Sequence, residues 1–124
     1  MDYRRLFRLV QTRPGMYGLD GSFKHYEIFL TGCDAGNEWG LLAGFREWLI
    51  MRLGRDSSLV WGALTLQIAF PDGYELPLSQ DADRVASGVL FDLLDEFMQA
   101  RFGANGISEI FNRYSTWSAQ SIST

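Results

Sequence analysis

The single histidine, His25, and the single cysteine, Cys33, are the residues best suited to nucleophile and base chemistry. Glu27 lies between them, so the three could in principle form a metal site. On a helix, however, residues 25 and 27 lie about 200° apart around the axis, and residue 33 lies about two turns further on. The three side chains therefore do not converge as metal ligands do. A surface histidine and a buried small thiol are the favoured interpretation.

A run of carboxylates between Asp72 and Glu96 is the second candidate for chemistry. Paired carboxylates can act as general acid and base, and a cluster can bind a divalent cation, although the spacing is not that of an EF-hand. Such a run is more often a solvated helix face and loop, and a docking surface for a basic protein is the main functional alternative. The predicted partner-binding set consists of Asp72, Glu75, Asp81, Asp83, Asp92, Asp95 and Glu96.

The glycines form no phosphate-binding loop, since neither G-x-x-x-x-G-K-[ST] nor G-x-G-x-x-G occurs. We therefore predict no catalytic residue, no cofactor and no metal, and we expect a binding protein rather than an enzyme. Two alternatives remain open at this point. One is a small enzyme that uses His25 or the acidic cluster, and the other is a structural or regulatory helical module.

Charge is distributed unevenly along the 124 residues, which carry a net charge of −4. Residues 1–55 contain eight Lys or Arg and six Asp or Glu, whereas residues 56–124 contain three and nine. An acidic surface of this kind repels nucleic acid and attracts basic partners. One cysteine fits a reducing compartment, and no window approaches the roughly 18 apolar residues of a membrane helix. No secretory signal is apparent, so we expect a cytoplasmic protein with no membrane or nucleic-acid partner.

The elements that must position these groups are organised around a sharp break, Arg13-Pro14-Gly15-Met16-Tyr17-Gly18. Pro14 prevents a helix from passing through Arg13 unbroken, and Gly15 and Gly18 permit the positive φ angles of a tight turn. Met16 and Tyr17 are apolar, so we expect both to insert into the core and fix the turn.

Helical periodicity predicts an all-α fold, a single domain of about six helices over residues 1–124. The first helix has Asp2 as its cap, the second begins after Ser22, and the third is capped by Asn37 and ends at Gly54. Asp81 or Asp83 caps the fifth helix, which closes at Gly103. The sixth helix follows Asn105-Gly106 for about three turns, and residues 118–124 form a frayed tail. Trp48 shares the apolar stripe of the third helix and is expected in the core.

The segment Leu59–Phe70 fits two patterns. Its apolar residues alternate as in a strand, but Leu59, Ala63, Leu66 and Phe70 also share one helical face. Because a lone strand would have no partner in this sequence, we predict a helix that ends at Pro71-Asp72-Gly73.

Several short motifs resemble those of small helical bacterial proteins of the immunity-protein type. In that group an Arg-Pro-Gly-Met-Tyr turn is followed by an aromatic-rich helix ending near a glycine, as Phe23–Gly32 does here. The other matching segments are Phe45-Arg46-Glu47-Trp48-Leu49, Ser58-Leu59-Val60-Trp61 and Phe91-Asp92-Leu93-Leu94-Asp95-Glu96-Phe97. The resemblance covers roughly residues 13–102, and its motifs are structural. It implies a protein that neutralises a toxin made by the same cell. We therefore expect a cognate toxin with a basic face, with a nuclease or a deaminase as the candidates.

The five residues Arg13–Tyr17 also match a segment near the start of the ATP-binding domain of DNA gyrase. The later glycine-rich ATP-lid motifs of that domain are lacking here. We interpret this second match as convergent turn chemistry.

Overall fold

A computed structural model describes residues 1–103 and 105–122 of the chain, and all regular structure within them is helical. The predicted all-α bundle is confirmed. None of the described helices is long and apolar enough to cross a membrane. The bounds are α1 Tyr3–Thr12, a 3₁₀ turn Pro14–Tyr17, α2 Phe23–Gly36, α3 Phe45–Leu53, α4 Trp61–Ala69, α5 Gln80–Arg101 and α6 Gly106–Ile122.

Helix α5 is the centre of the bundle, because it contacts each of the other five α-helices. Its 22 residues bury side chains on more than one side, including Leu90, Phe91, Leu94 and Phe97. Phe97 packs against Phe45 of α3 with ring centroids 5.0 Å apart, and Phe91 meets Tyr26 of α2 edge-on at 4.8 Å. A helix with neighbours on several sides needs a broad apolar stripe, as α5 has.

The break after α1 forms as predicted in outline but not in every residue. Asp2 caps α1 through a hydrogen bond from the Arg5 N–H, and Gly18 adopts a φ of 74°. Tyr17 packs against the core, and its ring meets Phe29 edge-on. Two expectations are wrong. Met16 is 72% exposed, and Gly15 has no positive φ, because Pro14–Tyr17 form a 3₁₀ turn that points Met16 outward.

The third helix is shorter than predicted. Asn37 does not cap it, but ends α2 and donates a side-chain hydrogen bond to the Cys33 carbonyl. Positive φ angles at Glu38 and Trp39, 56° and 61°, keep residues 37–44 out of a helix. Helix α3 begins only after Gly44, whose φ is 91°, and it ends at Gly54 as predicted.

Tertiary contacts hold the 37–44 segment in its non-helical path. The Asp34 carboxylate accepts a hydrogen bond from the Leu42 N–H at 2.9 Å, and the Arg101 guanidinium donates to the Leu41 carbonyl. Both contacts join residues from different elements. Helical periodicity, which predicted a longer third helix, does not indicate such contacts.

The ambiguous segment is helical, so the strand alternative is wrong, although α4 begins at Trp61 rather than Leu59. The start of α5 also differs from the prediction. Neither Asp81 nor Asp83 caps it, because the Ser79 hydroxyl does so by accepting a hydrogen bond from the Ala82 N–H. A serine is as good an N-cap as an aspartate, and it lies closer to the preceding loop.

Helix α6 is longer than the three turns expected. It continues through residues 118–122 where a frayed tail was predicted, while residues 123–124 lie outside the described part of the chain. Trp48 is only half-buried, although it packs against the core and its ring meets Phe97 at 6.2 Å.

Candidate docking site

The structure divides the seven acidic residues of the predicted set into two groups. Asp95 and Glu96 form ion pairs with arginines of the first half of the chain. The Arg4 guanidinium donates two hydrogen bonds to Asp95, at 2.8 and 3.0 Å, and Arg52 pairs with Glu96. The bond from Arg4 holds the pKa of Asp95 below its ordinary value. Asp92 is exposed and lies with Arg4 and Arg8 along the same cleft between α1 and α5.

These ion pairs bring arginines of the first half of the chain against carboxylates of the acidic second half. Helix α1 packs on the C-terminal half of α5 and brings its arginines to that helix. Arg4 of α1 and Arg52 of α3 therefore balance the negative charge of Asp95 and Glu96 within the molecule, which leaves these two carboxylates less free charge for a partner.

The second group lies at the other end of α5. Asp72 and Glu75 are exposed in the loop between α4 and α5, and Asp81 is in the first turn of α5 with a long, exposed contact to Arg84 at 3.2 Å. Asp83 is half-buried and accepts a hydrogen bond from the Phe23 N–H at 3.0 Å. Phe23 is the first residue of α2, so Asp83 satisfies one of the N–H groups that a helix start leaves without a partner.

Beside this second group lies a cleft of about 670 Å³. We name it the loop cleft. Its walls are mostly apolar and come from α2, α4, α5 and the loop before α5. The lining residues are Ser22, Phe23, Lys24, Glu27, Leu66, Leu76, Pro77, Leu78 and Asp83. Leu76 is 71% exposed at the mouth. Its volume lies within the range of known ligand clefts, which are likewise mostly apolar with a few polar groups.

Glu27 is the most unusual group in the loop cleft. Its carboxylate is half-buried, and within the described residues it accepts no hydrogen bond and forms no ion pair. Burial raises the pKa of Glu27, while the positive charge of Lys24 acts in the opposite direction. A carboxylate whose pKa is raised by burial beside an apolar cleft is a functional candidate.

Gly62 of α4 makes room for this carboxylate. A Cβ at Gly62 would overlap the Glu27 carboxylate, because the Glu27 Cδ lies 2.7 Å from that position. Glu27 also lines a second cavity of about 440 Å³, whose other lining residues are Ile28, Thr31, Val60, Trp61 and Gly62.

The place of Glu27 in the cleft was not predicted, because in the sequence Glu27 stood out only as a neighbour of His25 and Cys33. A signal was present, because Glu27 lies four residues after Phe23 and three before Leu30, both of which are buried. Residues at these spacings share one helix face, so a glutamate there lies at the edge of a buried stripe.

His25 and Cys33 do not form a nucleophile and base pair. His25 Nδ1 accepts a hydrogen bond from the Asp20 N–H at 3.0 Å, and eight residues of α2, about 12 Å of helix, separate it from Cys33. Burial raises the pKa of Cys33, which favours the unreactive thiol. Within residues 1–103 and 105–122, no three His, Cys, Asp or Glu side chains come close enough together to hold a metal ion.

A separate groove of about 430 Å³ lies between α3, α6 and the end of α5. Trp48, Arg52, Glu109 and Arg113 are among its lining residues. Both of its arginines already have partners, since Arg113 binds Glu109 at 2.9 Å and Arg52 lies over the Trp48 ring while pairing with Glu96. This groove therefore offers less unsatisfied charge than the loop cleft.

No protein-family model, curated protein sequence or solved structure matches this chain.

Proposed function

We propose that the chain is a binding protein that docks a basic protein at the loop cleft. The observation that carries this proposal is the combination of an apolar cleft of about 670 Å³ with a half-buried carboxylate that has no partner in the described residues. Apolar walls give a partner surface to bury, and a few fixed polar groups give it an orientation.

The charge around the cleft supports a basic partner. Asp72, Glu75 and Asp81 lie on the loop and the first turn that border the cleft, and Glu27 and Asp83 line it. Two positively charged side chains oppose these carboxylates. Lys24 lines the cleft, and Arg84 contacts Asp81. Complementary charge speeds the encounter of two proteins and disfavours acidic partners such as nucleic acids.

A toxin domain is the class of partner that we propose. A nuclease or deaminase needs a positive face to hold nucleic acid, and an acidic inhibitor that covers this face would block it. This part of the proposal rests on the resemblance to immunity proteins, and it places the encounter in the cytoplasm. The enzyme alternative has less support, because His25 lies beside Asp20 and does not line the cleft.

Photo-crosslinking identifies the partner and its site of contact. A benzoylphenylalanine in place of Leu76 should crosslink to one protein in the native host. The same group at Gln99, which is exposed and lies roughly 28 Å along α5 from its first residue, Gln80, should not. Equal crosslinking from both positions would contradict docking at the cleft.

Association kinetics with the captured partner then test the role of charge. Two triple variants each remove three negative charges, so they are matched in net charge. The first is Asp72→Asn, Glu75→Gln and Asp81→Asn, and the second is Asp92→Asn, Asp95→Asn and Glu96→Gln.

The first triple variant should lower the association rate about 10-fold at low salt, with a smaller effect at high salt. The second should change this rate much less and instead lower the melting temperature, because Arg4 and Arg52 lose their partners. Equal slowing by both variants would indicate a general effect of net charge. A rate that neither salt nor either variant changes would refute electrostatic docking altogether.

A further inference from the structure

Glu27 is shared by two cavities, and its charge limits which side chains of a partner can bind there. Glu27 lines the loop cleft together with Leu66 and Leu78, and it lines the second cavity together with Trp61 and Gly62. Exposed apolar side chains lie along the second cavity, where Ile28 is 60% and Val60 is 67% exposed. A negative charge is thus presented within a largely apolar surface.

We propose that a lysine or arginine side chain of the partner protein enters the loop cleft and pairs with Glu27. This inference rests on the proposed function, since it names the group of the basic partner that the site recognises. The aliphatic stem of such a side chain would pack on Leu66, Leu76 and Leu78, while its charged end would reach the carboxylate. A hydrogen bond between two charged groups would form there, away from much of the solvent.

The other classes of occupant fit less well. A neutral apolar side chain would cover Glu27 and leave its charge without compensation, which is costly. An anionic group would face the like charges of Glu27 and Asp83. Lys24 lies on the same helix and lines the same cleft, but it forms no ion pair with Glu27 in the described residues.

Small probes test this inference without the partner protein. The first probe is N-acetyl-lysine methylamide, and the second is N-acetyl-norleucine methylamide, which keeps the straight aliphatic stem but carries no charge. Binding is followed by NMR through the backbone amides of Gly62 and Leu78. We expect saturable shifts with the lysine probe, and about 10-fold weaker binding of the norleucine probe.

Variants assign the effect to one carboxylate. Glu27→Gln should weaken the lysine probe about 10-fold and leave the norleucine probe unchanged. Glu38→Gln removes the same charge from an exposed loop position and should change neither titration. Gly62→Ala should also weaken the lysine probe, because its methyl group displaces the Glu27 carboxylate without removing it. If Glu27→Gln disturbs the fold, Gly62→Ala still tests whether the Glu27 carboxylate binds the lysine probe.

Two results would overturn the inference. One is equal affinity for the lysine and norleucine probes, and the other is lysine binding that survives both Glu27→Gln and Gly62→Ala. Either result would leave the proposed function separately testable, because the Asp72, Glu75 and Asp81 variant still measures docking of the whole partner. Conversely, probe binding at Glu27 with no charge-dependent docking would refute the proposed function alone.

Discussion

Replacing Gly62 with alanine should have two opposing effects on the stability of the protein. One is the helix preference of alanine, and the other is the overlap of its methyl group with Glu27. Alanine is favoured over glycine inside a helix by roughly 1 kcal/mol, and by less at the second residue of α4. The new methyl group would overlap the Glu27 carboxylate, but that group is the end of a flexible side chain that can rotate into solvent. We therefore expect Gly62→Ala to leave stability unchanged or to raise it by up to about 1 kcal/mol.

Chemical denaturation of wild type and variant measures this difference, and NMR titration of the Glu27 carboxyl follows its displacement. The pKa of Glu27 should fall towards its ordinary value in Gly62→Ala, because the carboxylate leaves the buried position that raises it. Gly32→Ala is the matched control, since Gly32 lies within α2 and a Cβ there would meet nothing within 4 Å. A loss of about 2 kcal/mol in Gly62→Ala alone would contradict the expected displacement, because it would show that Glu27 cannot leave its position.

Three further predictions concern stability. Burial raises the pKa of Glu27, so the folded state disfavours its charged form, and Glu27→Gln should stabilise the protein at neutral pH. This gain should shrink as the pH falls through the raised pKa, in denaturation curves at several pH values, and a gain independent of pH would contradict this origin. Asp95→Asn should cost about 0.5–1 kcal/mol at neutral pH through the partly exposed pair with Arg4. Because that pair lowers the pKa of Asp95, its contribution is lost as the pH falls through the lowered value, and an equal cost of Asp95→Asn at acidic pH would argue against the pair. Gly44→Ala should cost about 1–3 kcal/mol in urea denaturation, since its φ of 91° strains any residue with a Cβ, and an unchanged midpoint would contradict this geometry.

Local chemistry was sufficient for most helix ends. Asp2, Ser22 and Gly54 each stand where the predicted cap lies, because a cap needs only one side chain or one glycine beside the helix. Helix periodicity likewise identified α1, α2, α5 and α6, and the lack of a partner strand decided correctly for α4.

The prediction for residues 37–44 was wrong because contacts between different elements decide the backbone there. Residues 37–44 follow a non-helical path that Asp34 and Arg101 hold by hydrogen bonds to it. Met16 points outward although it is apolar, because the direction of a side chain in a 3₁₀ turn depends on how that turn packs.

At the candidate site, too, some features follow from local sequence and others depend on contacts between helices. Residue pattern and composition were enough to establish that the protein is helical, that its second half is acidic and that its lone histidine and cysteine lie on one helix. Helix packing set the partners of Asp95 and Asp83, because Arg4 and Asp95 are 91 residues apart and Asp83 binds the start of a helix 60 residues away. It also decided that Glu27 faces a cleft. Helix periodicity repeats within a few residues and can be read locally, whereas charge compensation and cavities depend on which helices pack together.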